Sequence, residues 1–420
     1  MGGETSTPLS AAEGRAGERG SPRSEPLPGP RGAPRPPAVL QVLPSLNAGG
    51  VERGTIELAR ALAAAGWISY VASAGGPLEG DLKRAGAIHL KLPLASKNPL
   101  RMGANAHALI ALIRRHGIDI VHARSRAPAW SAWWAARATG RRFVTTFHNA
   151  YDLSVPLKGH YNAIMARGAR VIAISHFLAE HASSTYGVGR ERLRTIPRGV
   201  DLDQFAPSRV GAERIVALAR EWRLPDGALI AMLPGRLSRW KGALDFIAAI
   251  AALGRDDVYG LLIGPEQSRG FRAELERAIA RHRLGTRFRI VEGCGDMPAA
   301  YMLADVVVSA STDPEGFGRV IVEAQAMGRP VVATDHGGAR ETVLPGVTGW
   351  LVPPADPPSL AAAIGTALAL RPEERAKLAC AGRSHVAKNF PSEATCTKTI
   401  AVYEELLFGE ESLEAQAAAS

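Results

Sequence analysis

The chain has 420 residues, 46% of them hydrophobic, which is enough for two or three domains with sizeable cores. No apolar run reaches the roughly 18 residues a membrane span requires, and no charged-then-apolar leader opens the sequence. With three scattered cysteines (Cys294, Cys380, Cys396) outside any metal-ligand spacing, this predicts a reduced, cytoplasmic compartment. The net charge of +10 is uneven: residues 38–205 carry 21 Lys and Arg against 10 Asp and Glu, whereas residues 206–420 carry 24 against 26. The basic residues follow no helix-turn-helix, RNA-binding or zinc-finger pattern, so nucleic acid is not the expected partner. An anionic membrane surface or a phosphorylated glycolipid fits the excess better, beside an ordinary solvated basic surface.

Residues 1–37 consist mainly of Pro, Gly, Ser, Arg and Glu, which predicts a disordered tail. From Val39 onward, short Val/Ile/Leu-rich runs alternate with helix-forming stretches. Strands are expected at Val39–Leu43, Ile68–Ser73, Ile88–Leu92, Ile118–His122, Phe143–Phe147, Val171–Ile174 and Leu193–Ile196. Helices such as Val51–Ala65 and Ala104–His116 fill the gaps. A break follows Pro197-Arg-Gly-Val-Asp-Leu-Asp-Gln-Phe205. A second series then runs through Leu229–Leu233, Gly260–Ile263, Phe288–Val291, Asp305–Ser309, Pro330–Thr334 and Trp350–Val352. Such alternation predicts an α/β chain of two doubly wound, Rossmann-like parallel sheets, 38–205 and 206–395, facing across a cleft. Ligands of open sheets bind beyond the carboxyl ends of the strands. Residues 409–420 read as a loose acidic tail.

Several segments at those ends carry chemistry. Asn47-Ala-Gly-Gly-Val-Glu-Arg53 follows the first strand, where Gly49 and Gly50 permit close backbone approach and a helix N-terminus favours an anion. His122-Ala-Arg124, with Arg126 beyond it, ends another strand, and its arginines are candidates to hold an acidic acceptor. His148 closes Phe143–Phe147, and an imidazole there can exchange a proton near neutrality. Lys158 follows on a loop. Pro234-Gly-Arg-Leu-Ser-Arg-Trp-Lys-Gly242 offers Arg236 and Lys241 after Gly235, two cations able to stabilise a departing diphosphate. Gly293-Cys-Gly-Asp-Met-Pro298 contains Asp296 and Met297, whose backbone is placed to read a base edge. Asp313-Pro-Glu-Gly-Phe-Gly-Arg-Val-Ile-Val-Glu323 sets Glu315 and Glu323 eight positions apart across a loop-to-helix junction, with Gly316, Phe317 and Gly318 between them. Gly337 and Gly338 stand in the loop after the next strand. Asp201-Leu-Asp203 has the form of a metal-binding Asp-x-Asp but lies in the hinge, and no other acidic or His/Cys cluster suggests a metal.

The Pro-Glu-Gly-Phe-Gly…Glu frame, with Gly-Arg…Lys-Gly and Thr-Phe-His in register, resembles the retaining, nucleotide-sugar-dependent glycosyltransferases of family 4 over about residues 38–408. The resemblance implies a GT-B fold and metal-independent transfer of a hexose, with no cofactor beyond the nucleotide sugar. It implies that Glu315 contacts the donor sugar, Arg236 and Lys241 the diphosphate, and Glu323 the ribose. His148 would lie near the reacting carbon, Gly49 and Gly50 against diphosphate and acceptor, and a helix at 396–408 would return to the first domain. His122, Arg124 and Lys158 are the expected acceptor contacts. The Val-His-Ala-Arg-Ser-Arg-Ala-Pro-Ala-Trp stretch is most similar to bacterial lipopolysaccharide-core mannosyltransferases, implying GDP-mannose as donor and a glycolipid or oligosaccharide acceptor at the inner membrane face. In this family an Asn often stands where Arg198 does, which leaves the hinge contact open. A nucleotide-sugar epimerase on the same fold and an inactive GT-B binding subunit are the alternatives.

Overall fold

Every expected strand run forms a strand, with ends shifted by at most two residues. The computed structural model describes residues 2, 35–47, 49–151 and 156–409; most of the tails expected at 1–37 and 409–420 lies outside these. Strands β1 (Ala38–Val42), β2 (Ile68–Ser73), β3 (Ile88–Lys91), β4 (Ile120–Ala123), β5 (Arg142–Phe147), β6 (Arg170–Ala173) and β7 (Leu193–Thr195) build the first sheet. Strands β8 (Leu229–Pro234), β9 (Val258–Ile263), β10 (Phe288–Val291), β11 (Val306–Ser309), β12 (Val331–Thr334) and β13 (Trp350–Val352) build the second. Their orders are β3-β2-β1-β4-β5-β6-β7 and β10-β9-β8-β11-β12-β13. All pairs are parallel, in the doubly wound arrangement that brings a crevice to the strands' carboxyl ends.

Two boundaries differ from expectation for identifiable reasons. The helix expected from Ala104 begins at Pro99, because the Asn98 side chain accepts hydrogen bonds from the Leu100 and Arg101 amides and Pro99 is preset for the first helical position. β4 starts two residues late because the Asp119 carboxylate accepts a 2.9 Å hydrogen bond from the Ala38 amide, fixing the strand's entry.

The C-terminal helix, Ser392–Phe408, starts earlier than the expected Cys396 and packs on the first sheet, not the second. Cys396, Val402 and Tyr403 are buried beside Val39, Leu58, Ile120 and Val144, and a fully buried side chain of this size stabilises by about 1.5–3 kcal/mol. Thr395 donates to the Pro197 carbonyl at 2.8 Å, and Glu405 pairs with Arg170 and Arg194. The chain therefore crosses between sheets at Phe205 and again near Pro391, where Val200 bridges Pro391.

Candidate active site

The second sheet supplies the acidic and cationic core of the site. Glu315 lies in the loop after β11, and its Oε1 stands 2.7 Å from Lys241 Nζ, which is itself 4.5 Å from the Trp240 ring centre. Ser311 and Ser309 also donate to that carboxylate, the latter at 3.4 Å. Burial alone would raise the carboxyl, but the Lys241 ammonium and the two hydroxyls outweigh it and hold Glu315 below its ordinary range. The turn that delivers Lys241 depends on Gly242, whose φ is 70° and whose missing Cβ would collide with the Ala310 carbonyl. Arg236, beyond Gly235 (φ 138°), is exposed and makes no ion pair within 4 Å among the described residues.

The loop of Glu315 presses directly on the first domain. A Cβ on Gly316 would stand 2.5 Å from the His148 carbonyl oxygen, and the Ser175 hydroxyl donates to the Gly316 carbonyl at 2.6 Å. From the next loop, the Glu341 carboxylate accepts hydrogen bonds from the His176 and Phe177 amides at 2.9 and 2.7 Å, capping a first-domain helix with a second-domain side chain. Gly337 and Gly338 are structural: a Cβ on either would strike the Glu315–Phe317 backbone.

His148 directly follows β5, with both ring nitrogens shielded from solvent and without a hydrogen-bond partner among the described residues. Burial first, then Arg198 and Arg124, push its pKa well below the ordinary histidine value, so the ring is neutral. At the head of helix α1 (Gly50–Ala64), neither Gly49 nor Gly50 adopts a positive φ. Their use is space: a Cβ on Gly49 would strike the folded-back Glu52 carboxylate, and one on Gly50 would stand 3.1 Å from Arg198 Nη1. Arg198 also donates to the Gly50 carbonyl, and burial together with Arg319 and Arg124 lowers it to about 9.

Glu323 is 7% exposed, with Oε1 2.8 Å from Arg319 Nε and Oε2 accepting a 2.8 Å hydrogen bond from Tyr301. Arg319 reaches across the cleft to Glu57 at 2.9 Å. Gly318 takes φ 87° to start that helix. Asp296 caps the helix Met297–Leu303 and pairs with Arg214 at 2.6 Å, so its side chain is committed to the protein.

Three expectations are corrected. His122 is not an acceptor contact: it is fully buried, with Nδ1 2.6 Å from the Tyr403 hydroxyl and Nε2 2.7 Å from Thr146 Oγ1. Arg124, two residues along the same strand face, turns the same way, packs against the Gly54 backbone of α1 and donates to Gln41 at 3.1 Å. Phe317 points into the core, 3% exposed and 5.4 Å from the Phe390 ring, so only its backbone faces the loop. Lys158 lies exposed on the helix Pro156–Asn162, and Arg126 donates to Asn162 at 2.8 Å while lying over the Tyr151 ring. In the hinge, Asp201 accepts from the Asp203 and Gln204 amides and Asp203 pairs with Arg209, a turn and a surface ion pair. Tyr301, Arg319, Glu341 and Ser175 join the site without having been singled out. Only Arg319 carried a sequence signal, as a charged residue inside the Glu315–Glu323 frame.

Two facing doubly wound sheets with cations and carboxylates converging between them define a GT-B class protein. The chain belongs to glycosyltransferase family 4: the model described as Glycosyltransferase Family 4 matches residues 48–204, and that for Glycosyl transferases group 1 matches residues 229–369. A D-inositol 3-phosphate glycosyltransferase of Actinosynnema mirum is 30% identical over 68% of this chain and 72% of its own length. A GDP-mannose-dependent alpha-(1-6)-phosphatidylinositol monomannoside mannosyltransferase of Mycolicibacterium smegmatis is 31% identical over 66% of this chain and 74% of its own. Against two further D-inositol 3-phosphate glycosyltransferases, from Saccharomonospora viridis and Geodermatophilus obscurus, the match spans only 57% and 53% of the relative's length. Among solved structures, a glycosyltransferase from Rickettsia africae ESF-5 superposes with TM-score 0.81 at 35% identity, covering 89% of this chain and 100% of that one. Anabaena HepE, solved with UDP and glucose, shares the fold at TM-score 0.79 and 24% identity, over 88% of this chain and 99% of that one.

Proposed function

We propose that the chain is a hexosyltransferase that moves a sugar, mannose from GDP-mannose being the leading candidate, from a nucleotide diphosphate to a glycolipid or polysaccharide precursor such as lipopolysaccharide core. The observation that carries this reading is the Lys241–Glu315 pair at 2.7 Å, where the residue after Glu315, Gly316, lies against the His148 carbonyl across the cleft and exposed Arg236 stands in the same β8 loop as Lys241. Glu315, held ionised, is suited to accept hydroxyls of the donor sugar, while Lys241 and Arg236 balance charge growing on the leaving diphosphate. Neutral His148 can donate a hydrogen bond near the reacting carbon. The remaining lone pairs of Glu323 take the ribose.

The reading is of a retaining, front-face transfer. The bond from the sugar's anomeric carbon to the β-phosphate oxygen breaks, the acceptor oxygen bonds to that carbon from the same face, and its proton passes to the departing phosphate. Residues of the first domain and the cleft exclude water that would otherwise hydrolyse the donor. Fixed cations supply the charge stabilisation, so turnover is expected to persist in chelator.

A membrane-bound acceptor fits the basic first domain. The helix Arg126–Thr139 carries Trp130, Trp133 and Trp134, the last 40% exposed, with Arg167 4.6 Å and Arg137 5.2 Å from the Trp133 ring. Indole rings beside arginines suit an anionic lipid interface at the cytoplasmic face. No helix of the described residues is long and apolar enough to cross a membrane.

The test is calorimetric titration in chelator with GDP-mannose, UDP-glucose, UDP-galactose and UDP-N-acetylglucosamine, followed by NMR of the product's anomeric configuration. One binder with a retained anomer is expected; an inverted product, or binding that requires divalent metal, overturns the corresponding part of the reading.

A further inference from the structure

Glu57, Arg319 and Glu323 form a charged bridge between the domains. Arg319 opens the helix Arg319–Ala326, and its planar fork is split: Nε faces Glu323 at 2.8 Å on its own helix, and Nη2 faces Glu57 at 2.9 Å on α1. All three side chains are largely withdrawn from water, with Glu57 18%, Arg319 12% and Glu323 9% exposed. Burial by itself would lower the guanidinium's pKa, but Glu323 and Glu57 more than offset it and hold it above its ordinary value. Arg319 Nη1 is shielded and has no partner among the described residues.

The Glu323 carboxylate keeps acceptor capacity beyond its two protein partners. Tyr301, fully buried, has its ionisation pushed well up by burial and by Glu323, so it stays a donor to Oε2. Each carboxylate oxygen has two acceptor sites. Arg319 fills one on Oε1 and Tyr301 one on Oε2, leaving one on each for a vicinal diol. Glu57 lies on α1 seven residues, about two turns, beyond Gly50 at the helix head. One guanidinium therefore links the carboxylate proposed for the ribose with the helix proposed to face the diphosphate.

We propose that Arg319 is a positioning residue for the donor: one edge of its fork orients Glu323 for the ribose diol, and the other holds α1 in place over the diphosphate. Binding a whole nucleotide sugar and pairing the two domains are then one event. A Lys at this position cannot serve both carboxylates at once, because it offers a point charge where the guanidinium offers a fork. The inference rests on the ribose reading of Glu323.

The experiment compares a ligand that reaches only the ribose subsite with one that spans both domains: UMP against UDP-glucose, and GMP against GDP-mannose, by calorimetry, with thermal midpoints as a folding control. Glu57→Gln keeps the Glu323 half of the fork. It is expected to weaken the nucleotide sugar about tenfold, equivalent to about 1.4 kcal/mol, while leaving the monophosphate within about twofold. Arg319→Lys is expected to weaken both, and the nucleotide sugar more. Equal loss for both ligands in Glu57→Gln, or wild-type affinity in both variants, overturns the proposal. Glu323→Gln separates the layers: if it binds UMP or GMP like wild type, the ribose reading itself fails. If it binds weakly while the other two variants behave as wild type, only the role of Arg319 falls. Failure of the wild type to bind either pair removes both.

Discussion

The phenol of Tyr403 and the imidazole of His122 share a 2.6 Å hydrogen bond inside the first domain although 281 positions separate them in sequence. That bond fastens the C-terminal helix to β4 directly behind the cleft, and it turns a histidine expected at an acceptor site into part of a buried polar network. Tyr403→Phe leaves His122 with an unmet buried nitrogen, a change that costs about 1–3 kcal/mol. A lowered midpoint in urea unfolding, with donor affinity unchanged in the folded protein, is the expected result.

Stability should fall on acidification. Burial, ahead of Arg124, lowers His122 well below its unfolded value of 6.5, and burial with the neighbouring arginines does the same to His148. Between the unfolded and folded values the unfolded chain binds more protons. The stabilisation is therefore complete above about pH 6.5 and is lost as pH drops below it, by at most about 1.4 kcal/mol per pH unit for each histidine. Denaturant titrations from pH 7.5 to 5 measure the slope, and His122→Asn is expected to reduce it.

Removing Lys241 should affect chemistry and pH dependence together. Lys241→Met leaves Glu315 buried beside two hydroxyls with no cation, so its pKa rises from a value now held below the ordinary range. Turnover is expected to drop by about a hundredfold or more, in line with the loss of one transition-state charge partner. The acid limb of kcat/KM should shift to higher pH in the residual activity, as measured with radiolabelled donor.

Arg236 offers the opposite case, a cation proposed for the diphosphate with little structural duty. Exposed and outside any close ion pair among the described residues, it can be lost at little structural cost. Arg236→Ala is expected to weaken donor binding about tenfold or more, a charge-assisted contact being worth about 1.5–3 kcal/mol, with the thermal midpoint unmoved.

The cap that Glu341 places on the helix His176–Tyr186 joins the domains through two backbone amides. Glu341→Gln keeps an acceptor but loses the charge that favours a helix N-terminus, worth about 0.3–1 kcal/mol. Faster hydrogen exchange at His176 and Phe177, with the cores of both sheets unchanged, is the expected signature.

Much of this protein was legible along the chain. Strand runs such as Phe143–Phe147 and Phe288–Val291 are bounded by turn residues and fully or partly buried, so local composition marks them wherever they end up. The cluster of Lys241 with Glu315 was equally visible, because both residues follow the ends of neighbouring strands, β8 and β11, and a parallel sheet brings such loops together. Which face a side chain takes at a strand end was not legible. His122 and Arg124 lie at a carboxyl end as His148 does, yet they turn beneath α1 and the C-terminal helix, and that cover arrives from far along the chain, 83 positions away at Gln41 and 281 at Tyr403.

The two sheets, their order of elements and the loops that converge on the cleft can be read along the chain, because periodicity and turn residues are local properties. Which polar groups are spent on folding and which remain for a ligand depends on the packed molecule. His122 satisfies Tyr403, Phe317 packs on Phe390, Glu341 caps a helix of the opposite domain, and Arg319 divides its fork between Glu57 and Glu323. Each of those assignments depends on the full set of partners surrounding a buried donor or charge, and that set exists only once both domains have met.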